Sequence, residues 1–187
     1  MKQSGTKYRS EADIIMDAAE RRNAIYQKLK SADGPVSATA LAGMLGVSRQ
    51  IIVGDVALLR ASGHDILSTP RGYVLPAPDT GGIIRRIACR HDSSGMRGEL
   101  YAIVDQGGTV LNVIVEHPLY GELTGSLMLR SRYDVDRFID RCSTSDALPL
   151  SFLTEGIHLH TISCPDEDAL KRVLASLKKL GVLYENT

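Results

Sequence analysis

The chain has 187 residues, 43% of them hydrophobic and 24% charged, with 22 Lys/Arg balancing 22 Asp/Glu. This is the composition of an ordinary globular protein with room for one large or two small domains. It contains no apolar run long enough to span a bilayer, no secretory character in the polar segment Met1–Asp13, and three cysteines (Cys89, Cys142, Cys164) without paired spacing, which favours reduced thiols and a cytoplasmic setting with no membrane partner.

The charges are unevenly placed. Residues 1–75 hold 10 Lys/Arg and 7 Asp/Glu, and residues 76–187 hold 12 and 15. A positive first part suits contact with phosphates.

The first helix is expected to start from Ser10 or Asp13 and run to about Lys30, with Ile15, Ala18, Arg22 (by its stem), Ile25 and Leu29 at helical spacing. Gly34-Pro35 stops it. A short helix from about Ala38 to Leu45 buries Leu41 and Leu45. Gly46 is free to take positive φ and turns the chain. Ser48 then caps a third helix with Ile52, Val56 and Leu59 inward, and Gly63 ends it. Ile66–Ser68 and Tyr73–Leu75 read as short strands joined by the turn Thr69-Pro-Arg-Gly72. Residues 36–75 therefore read as a helix-turn-helix followed by a β-wing.

Such a motif presents the start of its second helix to base edges in the major groove of double-stranded DNA. With Ile52, Val56 and Leu59 buried, Gln50, Val53, Gly54 and Ala57 face outward and Arg49 lies at the margin. Arg grips guanine and Gln grips adenine through two hydrogen bonds each. Gly54 in mid-helix costs about 1 kcal/mol relative to Ala, an expense that close approach of the backbone to DNA explains. The expected DNA-binding set is Ser48, Arg49, Gln50 and Gly54, with Arg71 at the wing tip.

Pro76-Ala-Pro-Asp-Thr-Gly-Gly82 reads as a linker between a domain at 1–75 and another at 83–187. Beyond it the pattern gives a strand at Ile83–His91, a helix at Glu99–Gln106, strands at Val110–Glu116 and Leu123–Arg130, a helix at Asp134–Cys142, a strand at Ile157–Cys164, and a last helix that opens at Pro165–Asp168 and closes at Lys178-Lys179. In the last helix Leu170, Val173, Leu174, Leu177 and Leu180 form the apolar stripe. The fold class is α+β: an N-terminal winged helix-turn-helix, then a β-α-β-β-α-β-α split-βαβ domain with an antiparallel or mixed sheet and helices on one face.

Four histidines fall in this second part. Gly156-Ile-His-Leu-His160 puts His158 and His160 two apart on a strand, so both imidazoles share a face. Two imidazoles on one rigid strand can hold a divalent transition metal, and equally can do no more than satisfy backbone groups in a core. His91 closes the first strand of this part and Glu99 follows eight residues later. Together these four would make a three-histidine, one-carboxylate set suited to zinc, nickel or iron(II). His117, before Pro118, is a candidate ligand-pocket residue. Cys89 and Cys164 read as small buried hydrophobes.

Val47-Ser-Arg-Gln50, Asp55-Val-Ala-Leu-Leu-Arg60 and Thr69-Pro-Arg-Gly-Tyr73 resemble the winged helix-turn-helix of bacterial repressors. Glu99–Gly108, Val115-Glu-His-Pro-Leu-Tyr-Gly121, Leu127–Arg132, Asp134-Val-Asp136, Pro149-Leu150, Leu153-Thr154 and Gly156–Thr161 resemble the 3H domain, named for three characteristic histidines. The combination is similar to the niacin-responsive repressors of NAD-biosynthesis and niacin-uptake genes. That resemblance implies a homodimer that is not an enzyme, nicotinic acid as corepressor, and a metal held by His91, Glu99, His158 and His160. Two positions depart from the pattern: Gly54, where a polar or basic residue is usual, and Asn112, where Asp is.

For nicotinate, a metal with an open position accepts the pyridine nitrogen and an Arg clamps the carboxylate. Arg132, with Ser131 beside it and His117, is the expected ligand-binding set. Two other functions fit the same residues. One is a regulator in which the metal itself is the signal. The other is a metal-dependent hydrolase fused to a DNA-binding domain, for which no separate general base is evident beyond Glu99 or Glu116.

Overall fold

The computed structural model describes residues 16–76 and 82–185. Most of the expected linker, 77–81, lies outside them, as do the expected first-helix residues Ser10, Asp13 and Ile15. Contacts divide the chain into two units. One holds the first three helices with Tyr73–Leu75; the other holds Leu67–Gly72 and the residues from Pro76 onward.

In the first unit, α1 spans Ala18–Ser31, α2 Ala38–Leu45 and α3 Arg49–Ala61. The cap of α1 is Asp17, not Ser10 or Asp13. Its carboxylate accepts the Ala19 and Glu20 N–H groups at 2.7 and 2.8 Å, and Glu20 accepts the Asp17 N–H at 3.1 Å. This reciprocal box satisfies amides that the helix leaves without partners. Gly46 takes φ +67, which lets α2 and α3 meet at 104°. Ile25, Leu29, Leu41, Ile52, Val56, Leu59 and Ile66 form one core. Two short strands follow, β1 (Leu67–Thr69), which belongs to the second unit, and β2 (Gly72–Val74), whose Tyr73 bridges to Val36 within the first.

The second unit contains β3 (Ile83–Arg90), α4 (Met96–Val104), β4 (Thr109–His117), β5 (Gly121–Leu129), α5 (Arg132–Thr144), β6 (Ile157–Cys164) and α6 (Glu167–Lys179). A 3₁₀ turn at Leu150–Thr154, which the periodicity does not reveal, precedes β6. The sheet order is β3-β6-β4-β5, and every pairing is antiparallel. Strands β3 and β4, linked through α4, thus run in the same direction with β6 inserted between them. That is the split βαβ arrangement.

Residues alternate in and out along β6, so His158, His160, Ile162 and Cys164 share the buried face. Ile162 and Cys164 pack with Leu100 and Ile103 of α4, Val135 of α5, and Leu170, Val173 and Leu177 of α6. Leu180, expected in the α6 stripe, is instead half exposed beyond the helix end. At the other end of the same face the apolar residues give way to the two histidines. The fold thereby carries a polar cluster at the margin of its core.

Candidate functional site

Three elements meet at this cluster. β6, held between two neighbours, supplies His158 and His160. Their partners in the ladder are Cys89 and Ile87 on β3, and Val113 on β4 faces His160. α4 supplies Glu99 from its first turn, 1% exposed. The residue just after β3 supplies His91. Glu99 Oε2 lies 2.6 Å from His91 Nε2, 3.2 Å from His158 Nε2 and 3.4 Å from His160 Nε2. Adjacent rings meet edge to face with centroids 4.9 Å apart.

The opposite nitrogen of each ring is equally ordered. Nδ1 of His91 donates to the Asp92 carbonyl at 2.5 Å, that of His158 to the Gly156 carbonyl at 2.9 Å, and that of His160 to the Asn112 carbonyl at 2.7 Å. A carbonyl can only accept, so all three rings carry a proton on Nδ1 and turn Nε2 toward Glu99. A carboxylate at neutral pH also only accepts. Bringing three such nitrogens onto it requires either several buried imidazolium ions or one cation among them. Three neutral imidazoles and one carboxylate form a donor set of the kind that takes zinc, nickel or iron(II). Glu99, His91 and His158 each offer one ligand atom within 4.8 Å of the others; His160, the fourth residue that the sequence suggests, has its Nε2 3.4 Å from Glu99 but falls outside that group of three.

The electrostatics agree with this geometry. Desolvation works against a charged Glu99, but hydrogen bonds from His158, His160 and His91 hold its carboxyl well below the ordinary range. Desolvation also works against a charged His91, but its contact with Glu99 outweighs that and raises the imidazole. Asn112 serves twice here: its Oδ1 accepts the Thr161 N–H at 3.0 Å while its carbonyl holds His160.

Beside the cluster lies an open cavity of about 600 Å³. His91, Glu99, His158 and His160 line one side, and Met96, Leu100, Leu127 and Phe138 supply apolar wall. Gly125 leaves room there, since a Cβ on it would meet Leu150 at 3.2 Å.

The expected nicotinate set is not gathered at this cavity. Arg132 is bound to Asp105 through two hydrogen bonds of 2.7 and 2.6 Å, lies over the Tyr101 ring and does not line the cavity. Ser131 caps α5 by accepting the Asp134 N–H at 3.2 Å. His117 closes the β4–β5 hairpin, where its Nδ1 accepts the Leu119 N–H and its ring stacks on Tyr120. The cation that does line the cavity is Arg141. Sequence signals for it existed: Phe138, Arg141, Cys142 and Ser145 fall on one helical face.

On α3, Ser48 caps the helix by accepting the Ile51 N–H at 3.3 Å, and Arg49, Gln50 and Gly54 are exposed. A Cβ on Gly54 would meet nothing within 4 Å, so packing does not demand the glycine. Asp55, which sequence reasoning left without a role, is buried. It accepts from Arg21 Nε at 2.6 Å, with Arg22 at 3.7 Å, and so ties α3 to α1. Arg71, expected to reach DNA, is ion-paired with Asp134 within the second unit.

Residues 21–74 match the HTH domain model and residues 84–186 match the 3H domain model. The chain belongs to the family of transcription repressors that join an HTH domain to a 3H domain. It is 43% identical over 166 residues to the probable transcription repressor NiaR of Thermotoga maritima, covering 89% of this chain and 94% of that protein. It is 38% identical over 177 residues to the transcription repressor NadR of Bacillus subtilis, covering 93% and 98%. These relatives place the chain among DNA-binding regulators and not among enzymes. Among the described residues no single helix is long and apolar enough to cross a membrane.

Proposed function

We propose that the protein is a nicotinic-acid-dependent repressor of NAD-biosynthesis or niacin-transport genes, binding operator DNA as a homodimer. The observation that carries this reading is the cavity lined on one side by the His91–Glu99–His158–His160 cluster and elsewhere by apolar residues such as Met96, Leu100, Leu127 and Phe138 together with Arg141. A small flat ring with one nitrogen and one carboxylate suits such a place. The names NiaR and NadR borne by the two relatives support it.

In this reading His91, Glu99, His158 and His160 hold a divalent metal, which when bound supplies a Lewis-acidic position for the pyridine nitrogen. Met96, Leu100, Leu127 and Phe138 take the ring and exclude water. Ser48, Arg49 and Gln50 contact DNA at the start of α3, and Gly54 allows the helix to approach closely. Corepression requires that nicotinate favour the DNA-competent form over the other. Scarcity of the NAD precursor would then release the operator.

The test is operator binding by full-length protein with and without nicotinic acid, each in zinc-loaded and chelated samples. DNA can be selected by the protein itself from its own promoter regions. Tight binding only with nicotinate and metal together is the expected result. Affinity that follows metal and ignores nicotinate would establish a metal sensor instead. A pure metal sensor has no use for the adjoining cavity.

A further inference from the structure

The inference rests on the effector reading above: we propose that Arg141 anchors the carboxylate of nicotinate and makes the cavity discriminate the acid from its amide. Among the described residues that line the cavity, Arg141 is the one fixed cation. The acid there, Glu99, is engaged by three imidazoles. No carboxylate pairs with Arg141 among the described residues, in contrast to Arg132, which Asp105 holds with both oxygens. Arg141 is therefore available to an incoming anion and Arg132 is not.

Placement and chemistry agree. Arg141 follows Phe138 by three residues on α5, so a ring lying against Phe138 has the guanidinium one helical turn away. The histidine cluster bounds the same cavity from β6 and α4. A ligand with a lone-pair nitrogen at one edge and a carboxylate at the other matches the two kinds of group that line this cavity. A guanidinium meets a carboxylate through two parallel hydrogen bonds, and a neutral carboxamide offers it only one acceptor and no charge. The amide therefore loses the anchor while keeping the ring contacts.

The experiment is calorimetric titration of zinc-loaded, full-length protein with nicotinate and with nicotinamide. Wild type is compared with Arg141→Met and Arg141→Lys. Arg141 is exposed, so zinc content and melting temperature are expected to stay at wild-type values. The wild type should prefer nicotinate. Arg141→Met should weaken nicotinate about tenfold or more and leave nicotinamide unchanged, and Arg141→Lys should recover part of the loss. Wild-type nicotinate binding with undiminished affinity in Arg141→Met would overturn the anchor alone. So would an equal loss of both ligands, which marks a packing role. A wild type that binds no nicotinate would overturn the effector reading and the anchor with it.

Discussion

The α-carbon of Gly156 faces the main chain of His91 so closely that a Cβ there would sit 2.1 Å from the His91 carbonyl oxygen. Gly156 also has φ +88, accepts the His91 N–H at 3.3 Å, and accepts Nδ1–H of His158 at 2.9 Å. One glycine thus sets the positions of two cluster histidines. Gly156→Ala must displace backbone, because no flexible side-chain end is there to yield. We expect a stability loss of about 1–3 kcal/mol from the strained backbone alone. Zinc affinity should fall about 10–100-fold, as when the groups that orient metal ligands are disturbed. Competition against a chromophoric chelator measures this, and unaltered affinity would show that His91 does not depend on Gly156.

The cluster also predicts opposite pH responses with and without metal. In metal-free protein the raised His91 contributes stability that is complete below the ordinary value of 6.5 and is lost as pH rises through its folded value. The depressed Glu99 contributes stability present above 4.5 and lost as pH falls toward its folded value. The pair therefore stabilises the chelated protein most between 4.5 and 6.5. A bound metal needs neutral imidazoles, so protons compete with it. The melting-temperature difference between zinc-loaded and chelated protein should grow from about pH 6 to about pH 8. A difference that stays flat across that range would argue against histidine ligation.

The recognition helix separates folding from reading. Arg49→Ala should leave the melting temperature unchanged and weaken specific DNA binding by about 1–3 kcal/mol. Gly54→Ala should raise stability by as much as about 1 kcal/mol, because alanine is the better helix former and its methyl meets nothing. If the backbone approaches DNA there, the same variant loses operator affinity. Paired thermal melts and DNA titrations distinguish the two effects.

Asp55 holds that helix from behind. Asp55→Ala removes a charge-assisted hydrogen bond and leaves Arg21, itself mostly covered, without its partner. A loss of about 1–3 kcal/mol is expected in chemical denaturation. The cost should shrink in Arg21→Met/Asp55→Leu, where neither charge remains to be satisfied.

How far the sequence discloses these features follows from how local each signal is. Gly46 and Ser48 act within a few residues, so the turn and cap of the helix-turn-helix are readable from the chain alone. Asp17 and Glu20 are equally local, and the true start of α1 was available from their three-residue spacing. His158 and His160 share a face by strand alternation, but their meeting with Glu99 depends on β6 entering between β3 and β4, which no local pattern dictates. Arg132 illustrates the limit. It is near the right strand end, yet Asp105 and Tyr101, more than 25 residues away in sequence, fix its direction. Arg141 shares a helical face with Phe138 and Cys142, a local signal, but that this face meets a cavity beside the histidine cluster depends on elements distant in sequence.

The three cluster imidazoles take their orientation from peptide carbonyls of residues 92, 112 and 156. Every residue type carries that carbonyl. Ordinary substitution at Asp92 or Asn112 therefore leaves the acceptor in place, and sequence drift has little in the outer layer of this centre to erase. What remains vulnerable is the path of the main chain. Loss of the centre in a diverging relative should then trace to a ligand itself or to a glycine such as Gly156, and seldom to the residues around them.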